Sequence, residues 1–146
     1  MALVGGGGAG NTAGSNPSSI GSSLNYVGNH CHAESGGFGA LDSAQTLFNF
    51  TTGPEYVVAT LTMTAPILMT TGDISNGVVR GYQLNFNSQT VGLYKVDSIS
   101  EDMPSDTEVQ ILIPPFTAVV LTSIDNTPDP NYLGTANITG RIYGAE

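Results

Sequence analysis

The sequence predicts an all-β protein: an antiparallel β-sandwich, jelly-roll-like, of about eight strands, preceded by an extended Gly-rich N-terminal arm. Three observations predict it. Apolar residues alternate with period two in several segments rich in β-branched types. No segment carries a helical period. Clusters of Gly, Pro, Asn, Ser and Asp divide the segments at short intervals, the spacing of a sandwich or barrel. The clearest stretch is Glu108–Ile124. Val109, Ile111 and Ile113 alternate onto one face, Pro114-Pro115 makes a corner, and Val119 and Leu121 alternate again. Neither proline can donate a ladder hydrogen bond, so the pair belongs between strands or at an edge.

A chain of 146 residues suits one domain with one core. Residues 1–23 read as the arm and residues 24–146 as a single β-sandwich domain. Met1–Ser23 holds Leu3 and Val4, then Gly5, Gly6, Gly7 and Gly8, then a mix of small polar residues. Nothing there supplies core. A tract this rich in Gly loses much backbone entropy on ordering, and contact with neighbouring chains would offset that loss. Extended, it reaches roughly 70 Å at ~3.3 Å per residue.

Leu24–Glu34 reads as the first strand, with Val27, Cys31 and Ala33 on one face and Tyr26, His30, His32 and Glu34 on the other. Gln45–Phe50 reads as the second. Tyr56–Thr64 alternates most cleanly: Val57, Ala59, Leu61 and Met63 face one way, Tyr56, Val58, Thr60, Thr62 and Thr64 the other. A threonine face of this kind marks solvent or an interface. Pro66–Gly77 is a long connection. Val78–Phe86 and Thr90–Val96 form a hairpin through Asn87-Ser88-Gln89, with Tyr82, Leu84 and Phe86 inward. Asp97–Thr107 is an acidic loop, Glu108–Ile124 a central hairpin, and Asp125–Tyr132 a Pro-rich loop. Leu133–Tyr143 closes the chain, with Ile138 and Ile142 inward around Gly140.

Composition narrows the function classes. Charged residues are 10% of the chain, against roughly 25% on average, and the net charge is −9. Hydrophobic residues reach 40%, enough for a folded core. Phosphate binding needs clustered cations, yet Arg80, Lys95 and Arg141 are far apart in sequence, so nucleic acid is not an expected partner. The same deficit argues against an anionic membrane surface. No apolar run approaches the ~20 residues that span a bilayer. No signal peptide is expected, since the N-terminal residues show neither a basic nor an apolar region of that type. The single Cys31 excludes an intrachain disulfide framework.

Candidate chemistry is sparse. His30, His32 and Glu34 project from one face of a strand and could together ligate a transition metal. The cupin family places His-x-His and a Glu on a jelly roll. Here Glu34 follows His32 by only two residues, where that pattern has a longer gap, and both histidines of the chain are already used, so a second motif lacks its His. An exposed polar strand face is the expectation, with no metal and no cofactor. Cys31 points opposite the histidines, which opposes a Cys-His dyad. Asp97, Glu101, Asp102, Asp106 and Glu108 follow no EF-hand spacing. Gly5–Gly8 lacks the Lys and Ser/Thr of a phosphate loop, and no G-x-S-x-G elbow occurs. No catalytic residue is expected, and the chain does not read as an enzyme.

The Gly-rich start, Asn25-Tyr26-Val27-Gly28-Asn29, Phe50-Thr51-Thr52-Gly53-Pro54-Glu55-Tyr56, Ile113-Pro114-Pro115-Phe116-Thr117, and Thr139-Gly140-Arg141-Ile142-Tyr143-Gly144 form a set of turn and strand patterns spread over most of the chain. On these the chain resembles small structural proteins of marine tailed bacteriophages. It implies a non-enzymatic virion protein, a decoration or cement protein on the capsid surface. Its partners would be the major capsid protein and copies of itself in a homo-oligomeric assembly. Leu3, Val4 and the four glycines of the arm, with Thr60, Thr62 and Thr64, are the residues expected to meet a partner, the arm by adding a strand to a sheet edge. The alternative expectation is a receptor- or glycan-binding module of a tail or fibre, carrying exposed aromatics near a loop end such as Phe38, Tyr56 or Tyr132.

Overall fold

The computed structural model describes residues 24–36, 38–40, 44–64, 67–68, 79–97, 106–125 and 129–144. The arm, most of the long connection and residues 98–105 of the acidic loop lie outside these residues; Asp97 ends a strand and Asp106 and Thr107 begin one, so the loop is shorter than Asp97–Thr107. All described regular structure is β: β1 (Asn25–Val27), β2 (His30–Glu34), β3 (Phe38–Ala40), β4 (Gln45–Thr51), β5 (Tyr56–Thr64), β6 (Ile67–Leu68), β7 (Val79–Phe86), β8 (Gln89–Asp97), β9 (Asp106–Ile113), β10 (Ala118–Asp125), β11 (Asp129–Gly134) and β12 (Ala136–Tyr143). They form a five-stranded sheet in the order β1-β2-β12-β5-β9, a four-stranded sheet β4-β10-β7-β8, and a small sheet β3-β11-β6. Every pairing is antiparallel.

Eight of these strands define the sandwich. Taken in chain order as β2, β4, β5, β7, β8, β9, β10 and β12, they place the first, eighth, third and sixth in one sheet. The second, seventh, fourth and fifth make the other. Two interlocked Greek keys with that order are a jelly roll. β1 extends the first sheet, and β3, β6 and β11 add to the eight that the sequence leads one to expect.

The alternation in the sequence becomes the core. Val57, Ala59, Leu61 and Met63 on β5, Ile111 and Ile113 on β9, and Ile138 and Ile142 on β12 line one inner face. Leu47, Phe48, Phe50, Tyr82, Leu84, Val96, Val119 and Leu121 line the other. Phe48 and Phe50 meet edge to face, with centroids 6.5 Å apart. A hydrogen bond crosses the sandwich: the Tyr82 hydroxyl donates to the Thr64 carbonyl at 2.7 Å.

Three readings of the sequence are corrected. Asp125–Tyr132 is not all loop: β11 takes Asp129–Gly134, and Thr135 separates it from β12, so the closing strand expected over Leu133–Tyr143 is two. The first strand is two strands. Gly28, at φ +59°, opens a two-residue turn, so Tyr26 pairs with Cys31 and lies inside with it rather than outside with the histidines. Glu108–Ile124 is not a hairpin. β9 is an edge of the five-stranded sheet and β10 is interior to the four-stranded one, so the Pro114-Pro115 corner carries the chain from one sheet to the other. The β7–β8 hairpin stands as expected. Its loop is Asn87-Ser88, both with positive φ (49° and 67°), the geometry whose twist matches the flanking strands.

That corner is tightly held. The Thr52 hydroxyl donates to the Pro114 carbonyl at 2.8 Å and accepts from the Thr117 amide at 2.9 Å. The Phe116 amide donates to the Gly53 carbonyl at 2.9 Å. Phe116 itself sits at φ +53°, a left-handed backbone that a bulky side chain rarely adopts, and such strain persists only where neighbours over-determine it.

Candidate functional site

The outward face of the five-stranded sheet gathers most of the residues singled out from sequence. The registers of β2, β12, β5 and β9 fix its rows. His30, Arg141, Val58 and Leu112 form one; His32, Thr139, Thr60 and Gln110 the next; Glu34, Asn137, Thr62 and Glu108 the third. Tyr143 pairs with Tyr56 beyond the first row, and Thr64 pairs with Asp106 beyond the third. The alternation that buries Val57, Leu61 and Ile138 sends these residues outward.

The face is polar at one end and apolar at the other. Tyr56 is 41% exposed, Tyr143 51%, Leu112 56%, and Phe116, at the nearby corner, 71%. A contiguous exposed group of this kind marks an interaction surface more than scattered apolar residues do. Tyr, Phe and Arg are also the residues that interface cores favour. The charges are segregated. Arg141 and His30 stand beside the apolar end, while Glu34, Glu108 and Asp106 occupy the polar end. Arg141 makes no ion pair with a described residue.

Of the expected partner-binding threonines, Thr60, Thr62 and Thr64 all line this face and are half-buried among its strands. Thr64 is engaged within the chain: its hydroxyl donates to the Thr135 carbonyl at 3.1 Å and accepts from the Thr135 amide at 2.8 Å. Leu3, Val4, Gly5, Gly6, Gly7 and Gly8 lie outside the described residues, as do the side chains of Phe38 and Tyr132. Tyr56 is exposed as expected. Its neighbours Tyr143, Leu112 and Phe116 were not singled out, because cross-strand partners distant in sequence carry no local signal.

His30, His32 and Glu34 do project together and are exposed. The His32 Nε2 lies 3.7 Å from the Glu34 Oε2. His30 faces Arg141 across the ladder, a cationic neighbour ill suited to a metal site. Among the described residues, no group of three or more His, Cys, Asp or Glu is arranged to hold a metal.

Cys31 points the other way and is buried, and burial pushes its thiol up to about 11 against a backbone hydrogen bond from Gly140 that lowers it. Burial likewise raises the Tyr26 hydroxyl to about 12, with Cys31 and Glu55 adding to the effect and the Gly53 backbone opposing it. Only the thiolate reacts with alkylating reagents. Native protein at mildly alkaline pH should therefore label with iodoacetamide far more slowly than protein in guanidinium chloride; equal rates would contradict the burial. The linkage has a definite sign. The unfolded thiol loses its proton near 9.0 and the folded one near 11, so this contribution to stability is full below pH 9 and lost as pH rises toward 11.

The four-stranded sheet carries a shallow hollow of about 270 Å³ on its outward side, over Gly81 and bordered by Ala44, Gln83, Leu93 and Thr122. Its lining holds no carboxylate, imidazole or thiol.

No protein-family model and no curated protein matches the chain. Among solved structures, one match comes from the structure of infectious bursal disease virus, Gx strain, with 12% identity and a TM-score of 0.37. It covers 83% of this chain and 38% of that one, so this chain spans well under half of its length.

Proposed function

We propose that the chain is a non-enzymatic virion structural protein, a decoration or cement protein that binds the assembled head through its sandwich and its N-terminal arm. The observation that carries this reading is the outward face of the five-stranded sheet. It pairs a rigid β scaffold with an exposed apolar, aromatic end, and its composition is that of a protein contact. Phe116 adds support. Its strained backbone suits glycine far better, yet the position presents a large exposed ring. A jelly roll hosts many unrelated functions, so the fold by itself decides nothing. Many copies on a shell would turn weak single contacts into firm attachment.

Light scattering after size exclusion tests the reading. Full-length protein and a chain starting at Ser23 are compared, each with and without shells of the same virus's major capsid protein. The expected result is that both fold and only the full-length chain joins the shells. If neither joins, the reading fails.

One observation favours a second reading, a receptor- or glycan-binding module. Tyr56 and Tyr143 are cross-strand partners, both exposed, beside a loop corner. Binding to cell-surface glycans without binding to shells would move this reading to first place.

A further inference from the structure

We infer that the outward face of the five-stranded sheet docks onto the same face of a second copy, about a two-fold axis lying in the plane of the face. This deepens the reading of the face as a protein contact and rests on it.

Charge selects the occupant. At net −9, copies repel one another in most orientations. This face is different because its charges are segregated along the strands: Arg141 and His30 at one end, Glu34, Glu108 and Asp106 at the other. A two-fold axis across the strands at the His32–Thr139–Thr60–Gln110 row turns one copy end for end. Row by row, His30 then faces Glu34 of the second copy. Arg141 faces Asn137 of the second copy and lies one strand spacing, about 4.8 Å, from its Glu34. The guanidinium reaches a carboxylate at that distance and can bind it with two parallel hydrogen bonds. Val58 and Tyr56 fall on Thr62 and Thr64 of the second copy, and Leu112 on its Glu108. Each contact occurs twice, as an isologous interface requires.

The size is adequate. The 16 outward side chains of the four strands, at ~4.8 Å between strands and ~6.8 Å along them, give roughly 500 Å² in projection. A standard interface uses about 800 Å² of accessible surface per partner. Faces packed this way sit about 10 Å apart. Arg141, which makes no ion pair with a described residue, and the half-exposed tyrosines are the expected anchors, since Tyr and Arg dominate binding energy at interfaces.

The test is a charge exchange, read by sedimentation equilibrium of the full chain over micromolar to millimolar concentrations without shells. Wild type should show a monomer–dimer equilibrium that weakens with salt. Arg141→Glu should weaken it by at least about tenfold, and so should Glu34→Arg. Both side chains are exposed, so circular dichroism should show both variants folded. An equimolar mixture of the two variants, and the double variant Arg141→Glu/Glu34→Arg, should recover dimer. A wild type that stays monomeric throughout, a dimer indifferent to Arg141→Glu, or variants whose mixture stays monomeric would each overturn the inference. None of these outcomes depends on shell binding, so the reading of the chain as a virion protein is judged separately.

Discussion

Gly140→Val should yield no soluble folded protein, and Gly140→Ala should lose more than about 3 kcal/mol of stability. Gly140 is the middle of β12, between Cys31 on β2 and Ala59 on β5. A Cβ there would lie 2.3 Å from the Val58 carbonyl oxygen and 2.5 Å from both the Cα and the Cβ of Ala59. None of those atoms can swing aside. Two are backbone, and the third is fixed to it. Relief requires β12 to move away from β5 in the interior of a sheet where it is bonded on both sides. Gly144→Ala is the control, since a Cβ at Gly144 meets nothing within 4 Å. Denaturant midpoints measured for the three variants check the prediction. A Gly140→Ala midpoint equal to wild type would mean that the strands are spaced differently from the geometry described.

Thr52→Val should cost about 2–4 kcal/mol while leaving the shape of the side chain almost unchanged. Thr52 is 3% exposed, and its one hydroxyl serves both the Pro114 carbonyl and the Thr117 amide. Valine fills the same space and satisfies neither. The buried Thr117 amide left without a partner costs about 1–3 kcal/mol, and the part-buried Pro114 carbonyl adds less. Thr52→Ser retains the oxygen and should lose much less. The contrast between valine and serine in urea unfolding separates the hydrogen bonds from the packing. Equal losses in the two variants would assign the effect to the missing methyl.

Much of this fold is legible in the sequence because a half-buried strand writes its two faces as alternation. Tyr56–Thr64 is a strand with those same bounds, and its four inward residues are all buried. Ile138, Ile142, Val119, Leu121, Tyr82 and Leu84 also lie on the side that the pattern gives them. The failures have a common cause. Alternation reports which side of a strand a residue takes, and says nothing about which strand comes next to it. Gly28 breaks the first strand through a positive φ that leaves the apolar spacing unbroken. Pro114-Pro115 reads equally well as a hairpin loop or as a passage between sheets. The candidate site suffered in the same way. Its threonines share one strand and were visible together. Tyr143, Leu112 and Arg141 join them only through pairings that no local pattern encodes.

The place of β12 between β2 and β5 sets a condition on the protein's synthesis. β12 follows every other described strand, yet it is the bridge of its sheet. Until residue 143 has left the ribosome, β2 and β5 each lack a neighbour along one side, and Val57, Leu61 and Met63 have no Ile138 or Ile142 to pack beside. Pairings this distant in sequence are slow to form, and waiting strand edges are prone to wrong partners. The sandwich therefore closes late, after translation of its last strand. A ribosome that stalls or stops before β12 releases an aggregation-prone chain rather than a partly working one.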